Sequence, residues 1–256
     1  MTKWSAVVAV VAALGVPLSR PAQAAQASAD IKGTIVVSAA ASLTDSFKAL
    51  AREFRRTHSK VRVTFNFGSS SALVSQIQAG APADVFAAAD ASSIDKLSST
   101  GQVNKSPHIF ARNSLSLVVK RGNPLGIKSL TDMSKARVIS LCAKTAPCGI
   151  YAASALQRAG VSISESKVTR GVDAKATLGA VINGDADAAV VYSTDALSSK
   201  NAVAIVTIPQ SQNVTAMYAI AQVRGSKNAR AAQLFVDFVM SARGQKILST
   251  FGFLKP

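Results

Sequence analysis

The chain has 256 residues, of which 48% are hydrophobic, 16% charged and 5% aromatic. That composition excludes intrinsic disorder, which needs low hydrophobicity and dense charge, and two cysteines exclude a disulfide-dense mini-scaffold. The formal charge is +16, from 29 basic and 13 acidic residues, yet the basic residues are scattered and not interleaved with aromatics, which argues against a nucleic-acid platform.

Reading from the N-terminus, Lys3 precedes an apolar run from Ala6 to Leu18, too short to cross a bilayer. Small residues follow at Ala22-Gln23-Ala24 and Ala25-Gln26-Ala27. This is the form of a secretory signal peptide, expected to occupy residues 1–27. The cleavage region holds no cysteine, so a lipid-anchored mature N-terminus is not expected. Beyond it there is no uncharged apolar stretch long enough for a membrane span, which excludes a polytopic membrane protein.

Apolar runs and amphipathic stretches then alternate. Thr34 to Val37 predicts a strand. Leu43, Phe47, Leu50, Ala51 and Phe54 recur at helical spacing, with Asp45, Lys48, Arg52 and Arg55 between them, and predict a helix. Val61 to Phe67 alternates as a strand. Leu73, Val74 and Ile77 mark a short helix that ends near Gly80. Asp84 to Ala88 is a strand and Ser92 to Leu97 a helix. Further strands are expected at Leu115 to Val119, Val138 to Leu141, Lys167 to Thr169, Ala188 to Tyr192, Val203 to Ile208 and Ala216 to Ala221. Helices are expected at Ile150 to Ala159, Lys175 to Ile182 and Ala229 to Met240. Repeated β-α-β units with short loops predict an α/β protein with mostly parallel sheets.

Two places break that rhythm. Ala111-Arg112-Asn113 runs into a strand, and Gln210 to Thr215 leads to another without a helix before it. As the two crossings of a two-lobed protein, they would place residues 28–112 with 217–256 in one lobe and 113–216 in the other.

Open α/β sheets bind ligands at the carboxyl ends of their strands. Three strand-to-helix junctions share one chemistry: Ser38 to Asp45, Gly68 to Ala72, and Pro147 to Tyr151. Each sets small residues and backbone N–H groups at a helix start, where unpaired donors favour an anion. For Ser42, Thr44 and Ser70 the simpler role is capping the helix. Three such junctions in one chain favour a shared anion.

Catalytic motifs are missing. The two histidines, His58 and His108, lie away from these junctions in sequence, and no Gly-x-Ser-x-Gly elbow or Gly-x-x-x-x-Gly-Lys loop is present. No resident cofactor or metal cation is expected, because the four His and Cys residues are not clustered. Asp185 and Asp187 read as a solvated turn. In an oxidising compartment Cys142 and Cys148 are expected to form a disulfide; a redox or metal-binding thiol pair is the competing reading.

Several segments resemble one family. They are Ala39 to Thr44, Gly68 to Leu73, Gln76 to Phe86 with its Gln-x-x-Ala-Gly-Ala-Pro-Ala-Asp run, Pro147 to Ala152, Ala189 to Ala196 and the C-terminal Gly244 to Phe253. Together they resemble the extracytoplasmic molybdate-binding proteins of ABC importers over nearly all of the mature chain. The resemblance implies a two-lobed, type II periplasmic binding protein fold with the ligand cleft between the lobes. It implies that two serines, here Ser42 and Ser70, bind one tetrahedral oxyanion through hydroxyl and backbone N–H. Backbone donors at Cys148 and Ala174 and the hydroxyl of Tyr192 complete the set. It further implies molybdate, with tungstate, as ligand, ABC permease subunits as partners, no nucleic acid, a monomer in the periplasm, and no catalysis. The alternatives are the same fold serving sulfate or another oxyanion, and a secreted serine hydrolase with a base near Ser42 or Ser70. A donor-only pocket would reject protonated anions; Asp173 and Asp195 are the acids nearest to it in sequence.

Overall fold

The computed structural model describes Met1, residues 31–104 and residues 107–256. Apart from Met1, the expected signal peptide, residues 1–27, lies outside the described residues. From there the chain runs β1 (Gly33–Ala40), a 3-10 turn (Ala41–Leu43), α1 (Thr44–Thr57), β2 (Val61–Gly68), α2 (Ser70–Gln78), β3 (Val85–Ala88), α3 (Ala91–Ser99), β4 (His108–Asn113) and β5 (Leu115–Lys120). A 3-10 turn at Thr131–Lys135 precedes β6 (Ile139–Cys142), α4 (Pro147–Arg158), a 3-10 turn (Glu165–Lys167), β7 (Val168–Gly171), α5 (Ala174–Ile182) and β8 (Ala188–Tyr192). The remainder is α6 (Ser193–Ser198), β9 (Val203–Thr207), β10 (Ala216–Gln222), α7 (Ala229–Met240) and α8 (Ala242–Thr250).

The strands form two five-stranded sheets, ordered β2-β1-β3-β10-β4 and β7-β6-β8-β5-β9. The first takes its strands from residues 33–113 and 216–222, the second from 115–207. In each sheet four strands run one way, as the β-α-β rhythm predicts. One strand runs against them: β10 is antiparallel to β3 and β4, and β5 to β8 and β9. These reversed strands are the ones entered at the two crossings. A strand reached directly from another sheet, without a crossover helix, is free to pair antiparallel. Asn213 ties the crossings together: its Oδ1 accepts from the Leu115 N–H and its Nδ2 donates to the Leu115 carbonyl, both at 2.9 Å.

Three elements differ from expectation. β4, α6 and α8 are not among the predicted strands and helices. β4 is short, His108-Ile-Phe-Ala-Arg-Asn113, with only Phe110, Ala111 and Asn113 buried, so it lacks a clear period. α6 has six residues, too few to show one.

Helix α1 shows how the sheets are covered. Phe47, Leu50, Ala51 and Phe54 are buried against the first sheet, while Arg52, Arg55 and Arg56 stay exposed. Phe47 packs edge-on with Phe235 of α7, and tilted on Phe110 of β4 at 5.8 Å between centroids. Such pairs contribute about 0.5–1.5 kcal/mol each beyond the area they bury. Asp45 in the first turn and Arg55 and Arg56 in the last complement the helix dipole.

Asp187 does not sit in a solvated turn as expected. It is buried, pairs with Lys120 Nζ at 2.9 Å, and accepts the N–H groups of Arg137 and Val138. Burial alone would raise its pKa, but Lys120 and the two amides outweigh it and hold the carboxylate below its ordinary range. Alternation within the sequence could not reveal these partners, which come from two other segments. Asp185 is exposed.

Candidate functional site

The register of the parallel strands builds the site. β1 and β2 end side by side at Ala40 and Gly68, so the loops carrying Ser42 and Ser70 lie next to each other. β6 and β7 end at Cys142 and Gly171, which sets the starts of α4 and α5 side by side in the second sheet. One small pocket is lined by both sets: Ser42 and Ser70 from the first half, and Cys148, Ala174 and Tyr192 from the second. All five residues singled out from the sequence therefore meet. The pocket has a cavity volume of about 10 Å³, whereas three concavities elsewhere measure about 490–560 Å³. It suits a small ion rather than an organic metabolite.

The serines are not helix caps. Ser69 is the N-cap of α2, its Oγ accepting from the Ala72 N–H. That leaves Ser70 free for another bond: its Oγ accepts from the Ala89 N–H at 3.0 Å. Ser42 sits in the 3-10 turn before α1, and its Oγ meets Tyr218 Oη at 2.8 Å. Thr44 turns its hydroxyl back to the Ala41 carbonyl. Ser42 and Ser70 are 6% and 1% exposed.

The second half supplies helix starts. Cys148 is the second residue of α4, after Pro147, and Ala174 is the first of α5. Amides in a helix's first turn have no partner within the helix, so both offer N–H donors. Cys142 and Cys148 are joined in a disulfide, as expected. Gly149 is fixed by close approach: a Cβ there would lie 2.1 Å from the Ala143 carbonyl oxygen.

Tyr192 ends β8 with its side chain buried and its hydroxyl without a hydrogen-bond partner among the described residues. Burial, then the neighbouring Tyr218 and Tyr151, push that hydroxyl well above the usual phenol range, so it stays protonated and can donate. The three tyrosines of the chain form one contact chain, Tyr151 on Tyr192 and Tyr192 on Tyr218.

Among the described residues, the hydrogen-bond partners of the two lining serines are Tyr218 and the Ala89 amide, and neither is a carboxylate. Asp173 lines the pocket, but its Oδ1 accepts from the Ala176 N–H as the N-cap of α5. Asp195 is buried and faces Lys175 Nζ at 3.5 Å. Burial raises its pKa to about 6 against the pull of that lysine. Lys175 also reaches Asp45 of α1 at 2.8 Å, joining the two halves beside the pocket. Neither histidine lines the pocket; His58 stacks on Phe54.

Several contributors were not legible in the sequence. Tyr218 lies within an apolar strand, Asn113 ends a short strand of mixed polarity, and Ala89 acts through its amide alone. Asp90, the N-cap of α3, is a buried carboxylate whose field reaches Tyr192 and Tyr151, although it does not line the pocket. The one available signal was the scarcity of tyrosine: three in 256 residues, two of them in buried strands.

Among the described residues, no group of three or more His, Cys, Asp and Glu could hold a metal cation, and no helix is long and apolar enough to cross a membrane. The model of the bacterial extracellular solute-binding proteins matches residues 35–254. The molybdate-binding protein ModA of Mycobacterium tuberculosis is 35% identical over 241 residues, covering 94% of this chain and 90% of that one. The periplasmic molybdate-binding protein of Azotobacter vinelandii superposes with a TM-score of 0.79 at 19% identity, covering 87% and 99% of the two chains. The sulfate-binding protein SubI of M. tuberculosis superposes with a TM-score of 0.76 at 20% identity over 86% of each. At such identities the two structures speak for the fold alone, and that fold serves more than one oxyanion.

Proposed function

The chain belongs to the bacterial extracellular solute-binding proteins, and from that premise we propose that it captures molybdate outside the cytoplasm and delivers it to an ABC permease. The observation that carries this reading is the convergence of Ser42, Ser70, Cys148, Ala174 and Tyr192 on one small buried pocket. A fully deprotonated dianion only accepts hydrogen bonds. The two serine hydroxyls, the Tyr192 hydroxyl and the backbone N–H groups of Ser42, Ser70, Cys148 and Ala174 supply up to seven donors. Each contributes roughly 1.5–3 kcal/mol gross. After desolvation and ordering, a net of about 8–12 kcal/mol corresponds to micromolar to nanomolar binding.

In this reading residues 28–112 with 217–256 form one lobe and 113–216 the other, and closure between them buries the ion. Tungstate, nearly the same size, binds as well; sulfate is smaller and leaves some donors at longer distance. The protein acts as a periplasmic monomer, released by cleavage near residue 27, and carries out no reaction. A serine hydrolase is disfavoured because Ser42 and Ser70 bond to Tyr218 and to an amide, not to a base.

Calorimetric titration with molybdate, tungstate, sulfate and phosphate tests the proposal. Tight one-to-one binding of the first two, with sulfate weak, is expected. Tight sulfate binding would keep the site and change the cargo. Binding of none would remove the function.

A further inference from the structure

We propose that Tyr218 and Asn113 are positioning residues that fix the direction of the Ser42 hydroxyl, so that it meets the ligand as a donor and favours fully deprotonated oxyanions. The inference rests on the oxyanion reading above and deepens it by naming what sets the selectivity.

The chain of hydrogen bonds has one direction. Asn113 Oδ1 accepts from the Ser114 N–H at 2.9 Å. That fixes the orientation of the amide, because a backbone N–H requires an acceptor. The other terminal atom is therefore Nδ2, which can only donate. It donates to Thr194 Oγ1 at 2.9 Å and to Tyr218 Oη at 3.3 Å. Tyr218 Oη carries one proton, and burial, followed by the field of Asp195, keeps it there. An oxygen receiving from Asn113 sends that proton to its other partner, Ser42 Oγ, at 2.8 Å.

Ser42 could otherwise turn its proton onto Tyr218 and offer a lone pair to the ligand. Asn113 closes that option, so the Ser42 proton points into the pocket. Ser70 reaches the same state by a different route. Its Oγ accepts from the Ala89 N–H, and an amide cannot reverse. Tyr218 is 0% exposed and Asn113 1% exposed, so water does not compete for these bonds. Hydrogen phosphate, whose own proton needs an acceptor, then faces a proton at each serine and is disfavoured relative to an anion that only accepts.

The test titrates molybdate and hydrogen phosphate, at pH 8, into the wild-type protein and five variants: Tyr218→Phe, Asn113→Leu, Asn113→Asp and the double variants Tyr218→Phe/Asn113→Leu and Tyr218→Phe/Asn113→Asp. Tyr218→Phe should weaken molybdate about tenfold, in the range of one hydrogen bond to a charged group. It should also narrow the ratio of molybdate to hydrogen-phosphate affinity by a similar factor, because the freed Ser42 can now accept. Asn113→Asp places an acceptor beside Tyr218 and reverses the chain, so it should weaken molybdate more than Asn113→Leu does. In the Tyr218→Phe background that excess should disappear, whereas simple charge repulsion would persist there.

Equal losses for both anions in Tyr218→Phe would overturn the proposal, since that is what loosened packing gives. So would an Asn113→Asp variant milder than Asn113→Leu, the order expected if Asn113 only caps Ser114. Variants that bind as the wild type does would remove the inference and leave the oxyanion reading standing. A wild-type protein that binds no oxyanion would overturn both.

Discussion

The two halves of the pocket use the same feature, a helix start at the end of a parallel strand, but equip it differently. The first half relies on side chains. Ser42 and Ser70 present hydroxyls, each held by a partner from elsewhere in the same sheet: Tyr218 on β10 and the Ala89 amide after β3. The second half relies on backbone. Cys148 and Ala174 offer amides, and the covalent and steric constraints are gathered there: the disulfide, Pro147 at the first turn of α4, and Gly149 against the Ala143 carbonyl. A hydroxyl can rotate, so its direction must be set by a partner. An amide points where its backbone points, so the backbone itself must be stiff. The same donor chemistry thus demands a hydrogen-bond relay on one side and a braced loop on the other.

The sharpest way to break the second side is Gly149→Ala. The added Cβ would meet the Ala143 carbonyl at 2.1 Å, and backbone on both sides leaves little room to yield. Overpacking of this kind should cost on the order of 3 kcal/mol of folding stability. It should also lower oxyanion affinity, because the α4 amides move. Thermal unfolding and titration of the same preparation measure both. A variant with wild-type affinity would show that the braced loop does not contribute donors.

Tyr192→Phe separates affinity from stability. The hydroxyl is buried without a partner among the described residues, so its removal should leave the melting temperature unchanged or slightly raised. Oxyanion binding should weaken by about 2 kcal/mol, near thirtyfold. A loss of stability with affinity intact would place the hydroxyl outside the site.

These two residues also show what a sequence can disclose. The strand-to-helix junctions were legible because Ser, Gly and Pro punctuate the chain after apolar runs, and the second half's Pro147-Cys148-Gly149 is such a mark. An α/β architecture with mostly parallel sheets followed from the alternation of periods. What was not legible depends on distance. Tyr218 acts on Ser42 across 176 positions and Asn113 on Tyr218 across 105, so nothing local to either residue signals it. Ser69 and Ser70 make the point at short range. Adjacent and chemically identical, one caps α2 and the other serves the pocket, and only the backbone geometry separates them.

Asp195 tests how much charge the second half tolerates near its donors. Burial raises its pKa from 3.8 to about 6 even with Lys175 beside it. The folded protein therefore holds this proton more tightly than the unfolded chain. Its contribution to stability is present in full below pH 4 and is lost as the pH rises through 6. Asp195→Asn should raise stability above pH 6 by about 1–3 kcal/mol and change it little near pH 4. Unfolding curves at pH 4.5 and 8 measure the difference. A variant less stable than wild type at pH 8 would mean that the Lys175 pair outweighs the desolvation of the carboxylate.

The smallest expected effect bears on how the halves meet. Lys175 of α5 reaches across to Asp45 of α1 at 2.8 Å, with the two side chains 32% and 48% exposed. An ion pair this open contributes no more than about 1 kcal/mol and is screened by salt. Its position matters more than its size. A pair within one half would stabilise that half whether or not ligand is present, whereas a pair between halves stabilises only the arrangement that brings them together. Asp45→Asn should therefore leave the unfolding midpoint of the ligand-free protein nearly unchanged and weaken oxyanion binding by up to about fivefold at low salt. The difference should vanish near 1 M salt, where the screening length falls to about 3 Å. A salt-independent loss of affinity would point instead to Asp45 shaping the first turn of α1, and so the Ser42 loop itself.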